Sequence, residues 1–289
     1  MREPGTLRFE ILGPLRLWRG ETELDAGPHQ QRSLLKVLLA AAGQPLGIHD
    51  LIGLIWESEP PSSAVNIVHK YVSGLRRVLE PGLAARDCGT YLLRQGGGYR
   101  LSLGSAVADL PAFRRHLADA AACESMGAPA RALDHYTDAL RLVRGPAGGA
   151  PAETVRAAAV FTVFDSLFFD AAVAATEIAV RLGRSAEVLP ALRLAAGMNP
   201  LHEPVHASLI TALAAAGRQA EALATYRTIR GLLDEDLGID PGPALIEAQR
   251  RVLTRTVPGH EASPACARCR RTHRRARPSR GWRRSPVRA

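Results

Sequence analysis

Three glycines stand at one fixed offset from a small or branched apolar residue, and this spacing limits the fold more than any other feature of the chain. Gly127 precedes Ala132-Leu133 and Tyr136, Gly183 precedes Val188-Leu189 and Leu192, and Gly217 precedes Ala222-Leu223 and Tyr226. The second and third copies lie 34 residues apart, which is the tetratricopeptide period. In each copy the glycine allows a tight turn between antiparallel helices, and the residue five positions on lets those helices approach closely. The first interval is 56 residues, so an insertion or a degenerate unit intervenes around Gly145 to Pro151. Stacked helix pairs of this kind form a concave surface suited to peptide or protein partners.

The repeats begin only after Asp109, and the first hundred residues follow a different pattern. Leu7, Phe9 and Ile11 alternate with Arg8 and Glu10, Gly13-Pro14 turns the chain, and Leu15 and Leu17 lead to a further turn at Arg19-Gly20. Short antiparallel strands are the expectation. A helix starting near Gln30 carries Leu34, Leu35, Leu38 and Leu39 as one stripe and stops at Gly43 and Pro45, and a second runs from Ile48 to Trp56. Glu59-Pro60-Pro61-Ser62 then supplies both a break and a start signal, since serine caps a helix and proline tolerates its first turn.

The third helix, from about Ser63 to Glu80, places Val68, Val72, Leu75 and Leu79 in one narrow arc with Ala64, Val65 and Tyr71 at its edges. Asn66, Lys70, Ser73 and Arg77 fill the opposite arc, flanked by His69 and Arg76. Hydrogen-bonding and cationic groups at this spacing suit base edges and phosphates, while the other side anchors in a core. A plain amphipathic helix with a solvated polar side has the same pattern, so the order of elements decides. Tyr91 to Gln95 and Tyr99 to Leu103 are strand-like runs around Gly96-Gly97-Gly98, a hairpin with Arg94 and Arg100 on its two arms. Three helices followed by a basic hairpin is the layout of a winged helix-turn-helix, whose third helix enters the major groove of double-stranded DNA beside the wing. The candidate DNA-binding residues are therefore Asn66, His69, Lys70, Ser73, Arg76 and Arg77 on the helix, with Arg94, Gly97, Tyr99 and Arg100 on the wing.

The expected fold is mainly α: a winged helix-turn-helix with small β-sheets over residues 1–104, then an all-α tetratricopeptide-like domain over 109–256. Residues 258–289 form an arginine-rich tail expected to be disordered. With 46% hydrophobic but only 5% aromatic residues, the composition fits close helix packing through small side chains. Net charge is a poor guide here. The tail holds ten arginines against one acid, Glu261, and so accounts for the whole formal charge of +9. DNA binding must rest on local placement.

Other functions find less support. No charged segment leads into an apolar one at the start, so the protein reads as intracellular, and the apolar stretch Ala157 to Ala175 contains Asp165 and Asp170, as a buried helix rather than a membrane span would. Cys266-Ala267-Arg268-Cys269 with His273 falls short of a zinc ligand set, and Glu235, Asp236 and Asp240 lack the spacing of a calcium loop. Cys88 and Cys123 complete a cysteine count too small and uneven for a disulfide framework. Neither Lys36 nor Lys70 follows a phosphate-binding glycine loop, and no histidine, acid and nucleophile share a catalytic spacing. The sequence implies no cofactor, no metal and no enzymatic activity. An interaction adaptor, with the winged helix as a structural module, is the alternative from another class.

Phe9 to Leu15, Gln31 to Leu35, Leu54-Ile55-Trp56, Tyr71 to Leu79, Gly97 to Leu101, Ala216 to Leu223 and Leu237 to Pro243 together resemble the Streptomyces antibiotic regulatory proteins. That family joins an OmpR-like winged helix to a bacterial transcriptional activator domain. The resemblance covers about residues 7 to 256. It implies a cytoplasmic, nucleoid-associated activator of a biosynthetic gene cluster, binding direct repeats head to tail as two copies and recruiting RNA polymerase. It also implies that Trp56 packs in the core beside the loop into the third helix. Two departures stand out: Val143 replaces a tryptophan ahead of Arg144-Gly145-Pro146, and the following helix is rich in phenylalanine, with Phe161, Phe164, Phe168 and Phe169.

Overall fold

The computed structural model describes residues 5–56, 59–84, 87, 89–149 and 154–254. Strand β1 (Leu7–Glu10) pairs antiparallel with β2 (Arg16–Arg19), which pairs with β3 (Thr22–Glu23). The alternation in β1 turns Leu7 and Phe9 inward and Arg8 outward, where the guanidinium groups of Arg8 and Arg16 lie over the Trp18 ring at 5.1 and 4.5 Å from its centroid. Helices α1 (His29–Ala40), α2 (Ile48–Trp56) and α3 (Ala64–Leu79) follow, with a short strand β4 (Leu46–Gly47) ahead of α2.

All three helices pack on one another through the stripes their sequences set out: Leu34, Leu35 and Leu38 of α1, Leu51 and Ile55 of α2, Val68, Val72, Leu75 and Leu79 of α3 are buried. Trp56 joins them from the edge of the core, stacked on Tyr71 with ring centroids 6.4 Å apart. Ser63 occupies the cap position of α3 without a side-chain cap bond, and the helix starts instead with the Ala64 N–H donating to the Pro61 carbonyl. Strands β5 (Leu92–Gln95) and β6 (Gly98–Leu101) form the expected hairpin, and β6 is the central strand of a three-stranded sheet, with β4 on its other side.

Sequence periodicity did not anticipate β7 (Val107–Ala108), which pairs parallel to β1, with Phe9 opposite Ala108, and adds a fourth strand to the N-terminal sheet. Two residues are too few for a period, and the pairing comes from across the fold. From β7 the chain enters α4 (Asp109–Ser125) directly, followed by α5 (Pro129–Leu142), α6 (Val155–Arg181), a single 3-10 turn at Ser185–Glu187, α7 (Leu189–Met198), α8 (Glu203–Ala215), α9 (Gln219–Leu237) and α10 (Pro243–Thr254).

The three repeat glycines end α4, α6 and α8 in the left-handed region, at φ of 68°, 69° and 77°. After each, the next residue donates to a carbonyl five positions back: Ala128 to Cys123, Arg184 to Ala179, Arg218 to Leu213. The residues five positions beyond the glycines, Ala132, Val188 and Ala222, are each fully buried at 0%. Arg184 and Arg218 form the same forked ion pair three residues on, with Glu187 and Glu221, and Arg184 also reaches Asp134 of the preceding pair at 2.7 Å.

Helix α6 is long and apolar enough to cross a membrane, but here Phe161, Phe164, Phe168 and Phe169 are buried against neighbouring helices. Val143, in the place of the expected tryptophan, is buried as well, and the Phe161 ring lies against Gly148. The long first interval of the repeat has a structural use. Its residues Arg144 and Gly148 donate backbone N–H groups to Leu12 and Ile11, both at 2.7 Å, and Thr154 caps α6 while its hydroxyl donates to the Leu54 carbonyl at the end of α2. The winged helix and the helical array consequently belong to one compact unit. The tail, with Cys266, Cys269, His273 and its ten arginines, lies outside the described residues, as does Cys88.

Candidate nucleic-acid interface

The position of α3 is fixed at its C-terminal end and on both flanks. At its C-terminal end Arg19 of β2 donates to the carbonyls of Val78 and Leu79 at 2.8 and 3.0 Å, satisfying acceptors that the helix itself leaves open and placing a cation where the helix dipole is negative. Next to it the Glu80 carboxylate accepts from the N–H and hydroxyl of Thr90, anchoring the chain that enters the wing. On one flank the Tyr71 hydroxyl donates to Gln30 of α1 at 2.6 Å. On the other, Arg76 donates to the Leu92 carbonyl at 3.2 and 2.7 Å, and the His69 ring meets Tyr99 edge on at 6.2 Å.

The remaining arc is open. Asn66, Lys70, Ser73 and Arg77 are all exposed, on the side opposite the buried stripe. The Ser73 hydroxyl donates to the His69 carbonyl at 2.9 Å and keeps its lone pairs for a donor from outside. Among the described residues, Asn66, Lys70 and Arg77 form no side-chain hydrogen bond or ion pair, so their donors face solvent unspent. A helix held by its buried stripe and by Tyr71 and Arg76 on its flanks presents these donors from a fixed backbone.

The wing divides the residues expected of it. Gly96 and Gly97 make the tight turn at φ of 58° and 71°, which suits a two-residue hairpin loop, and both are exposed. Arg94 pairs with Tyr99 across the hairpin, and Leu92 with Leu101. Paired residues share a face, and Tyr99 meets His69 of α3, so Arg94 lies on the α3 side and is exposed. Arg100 alternates to the opposite face, beside Leu93. Tyr99 is 6% exposed and packs beneath the interface rather than on it. Asn66, Lys70, Ser73 and Arg77 thus share the open arc of α3, and Arg94 is exposed on the hairpin face that carries Tyr99. Arg76 and Tyr99 hold the helix against the wing, His69 is half-buried between them, and Arg100 stands apart.

Sequence periodicity missed Arg19, whose contribution depends on β2 ending beside the C-terminus of α3, and missed Gln30 for the same kind of reason. Both contacts span more than forty residues, and neither leaves a local pattern.

The pentapeptide His202-Glu203-Pro204-Val205-His206 has the spacing of a zinc-peptidase helix, but its groups do not converge. His202 is the cap of α8 and accepts from the Val205 N–H, Glu203 accepts from the Gly242 N–H at 2.6 Å, and His206 is buried, which holds its imidazole below the usual histidine range. Among the described residues no three His, Cys, Asp or Glu side chains are arranged to hold a metal ion.

The family model of the bacterial transcriptional activator domain matches residues 108–253. The chain is 35% identical over 265 residues to Regulatory protein AfsR of Streptomyces coelicolor, covering 92% of this chain and 25% of AfsR. It is 35% identical over 249 residues to Transcriptional regulatory protein EmbR of Mycobacterium tuberculosis, covering 86% of this chain and 63% of EmbR. The solved structure of Mycobacterium tuberculosis EmbR in complex with a low affinity phosphopeptide superposes with a TM-score of 0.66 at 32% identity, over 86% of this chain and 65% of that one. The chain therefore spans a quarter of AfsR and just under two thirds of EmbR.

Proposed function

The chain belongs to the Streptomyces antibiotic regulatory protein family, and from that premise we propose that it is a sequence-specific DNA-binding transcriptional activator of a secondary-metabolite gene cluster. The observation that carries this reading is the open arc of Asn66, Lys70, Ser73 and Arg77 on a helix anchored through its buried stripe and through Tyr71 and Arg76 on its flanks. In the winged-helix mode α3 enters the major groove, where Asn and Arg match the edges of adenine and guanine, and Arg94 lies along the neighbouring phosphates. The helical array, tied to the winged helix through β7, Arg144, Gly148 and Thr154, then offers its surface to RNA polymerase. Two copies bind head to tail on direct repeats, in the cytoplasm and on the nucleoid.

The test is a footprint of the full chain on the upstream regions of biosynthetic genes neighbouring its own. Protection of a direct repeat, together with activation of a reporter carrying it, is the expected result. Absence of any protected site, with capture of a protein by residues 109–254 alone, would replace this reading with that of an interaction adaptor.

A further inference from the structure

Val65 is the one large hydrophobic side chain of α1, α2 or α3 that is exposed among the described residues, at 39%. It stands in the first turn of α3, on the flank it shares with His69 one turn later and Arg76 two turns beyond that. His69 and Arg76 are engaged by the wing, whereas Val65, one turn nearer the start of the helix, is not part of the hydrophobic core. A β-branched residue is also a weak helix former, so helix propensity does not account for it. Its Cβ points toward the N-terminus of the helix, the end that contacts base edges in this mode of docking.

The major groove offers one apolar group at base level, the C5-methyl of thymine. We propose that Val65 reads that methyl group, and that Asn66 beside it takes an adenine edge, so that the site of this protein contains a thymine fixed by Val65. The inference rests on the DNA-binding reading above and extends it to a specificity-determining residue. Asn66 is exposed and its amide forms no hydrogen bond with another described side chain, so it is free for the paired donor and acceptor of adenine. Val65 then supplies a contact that cytosine, lacking the methyl group, does not return.

The experiment uses the full chain and the tightest duplex it selects from a randomised library. Each thymine is replaced in turn by uracil, which removes the methyl group and leaves the pairing edge unchanged, and affinity is measured by fluorescence anisotropy. At one thymine of the site, uracil is expected to weaken binding roughly fourfold, the equivalent of one buried methyl group. Val65→Ala is expected to bind the thymine duplex weakly and to lose its discrimination between thymine and uracil, while Val65→Thr, which keeps one methyl group, retains part of it. An unchanged melting transition of the variants shows that they fold. Insensitivity to every uracil, or an equal uracil penalty in Val65→Ala, would overturn the proposal while leaving DNA binding intact. If the library yields no preferred duplex, the DNA-binding reading falls and this inference with it.

Discussion

Asp109 accepts the backbone N–H of Leu12 at 2.9 Å across 97 residues of chain. The same carboxylate accepts the N–H of Ile11 at 2.8 Å and lies 3.5 Å from the Arg144 guanidinium. Three parts of the molecule meet there: the end of β1, the first residue of the helical array, and the segment that separates its first two glycine copies. Ile11 and Leu12 are buried, so their amides have no water to turn to. Asp109→Ala strands both donors and is expected to cost ~2–4 kcal/mol of stability. Chemical denaturation of the full chain checks this, and a loss under ~0.5 kcal/mol would show that the junction relaxes around the missing carboxylate.

The same residue carries a pH signature. Burial raises the Asp109 carboxyl above its ordinary value, against the backbone N–H bonds of Leu12 and Ile11 and the attraction of Arg144, which pull it down. With the folded value raised, the folded state holds the proton in the window between the ordinary carboxylate value and the raised one, where the unfolded chain has lost it. Stability from this group therefore rises as pH falls through that window. Asp109→Asn cannot titrate, so the advantage of the native chain over it is expected to widen on acidification from neutral pH. Paired urea titrations across that range check the sign, and a constant difference would contradict it.

Two neighbouring arginines on α3 are expected to respond differently. Arg77 is exposed on the open arc, and Arg77→Ala should weaken binding to the selected duplex by roughly 1–3 kcal/mol if it meets a base edge, with the melting temperature unchanged. Arg76 is bonded to the Leu92 carbonyl, and Arg76→Ala should lower stability by about 1 kcal/mol, with any loss of affinity following from a displaced wing. Anisotropy and thermal melts on both variants separate the two effects. Equal losses of affinity at equal stability would mean that Arg76 leaves the wing to meet DNA.

Much of the candidate interface was legible from periodicity. The stripe from Val68 to Leu79 and the arc from Asn66 to Arg77 follow from 3.6 residues per turn, and both lie where that period puts them. The flanks were not legible, because a residue about 100° from the stripe is exposed or engaged according to what packs beside it. His69, Arg76 and Tyr99 were taken by the wing, and only the strand register separates Arg94 from Arg100. The repeat glycines were visible as spacing, since each turn is closed locally. What the long first interval does was not visible, because its partners, Ile11, Leu12 and Leu54, lie a hundred or more residues away.

The wing register gives a prediction of its own. Arg94→Ala removes a cation from the α3 side and is expected to lower the dependence of log affinity on log salt by about 0.9 for one lost phosphate contact. Arg100→Ala removes one from the opposite face and should leave that slope as it was. Titrations between low and moderate salt compare them directly. A larger change from Arg100→Ala would mean that the wing meets DNA with its other face.

The close approach of repeat helices can be tested at Ala222. This residue is fully buried five positions after Gly217, at the crossing of α8 and α9, and Ala132 holds the same place between α4 and α5. A leucine at either site adds volume where the helices leave none. Overpacking of this kind costs typically ~1–3 kcal/mol, because backbones or rotamers must shift to admit the larger group. Ala222→Leu lies far from α3 in sequence and outside every contact that holds it, so affinity for the selected duplex should persist below the lowered melting temperature. Ala132→Leu acts on the helix pair that follows β7 directly and adjoins the Asp109 junction, so its effect should spread further and reduce affinity as well as stability. Equal behaviour of the two variants would show that strain in the first helix pair stops short of the winged helix.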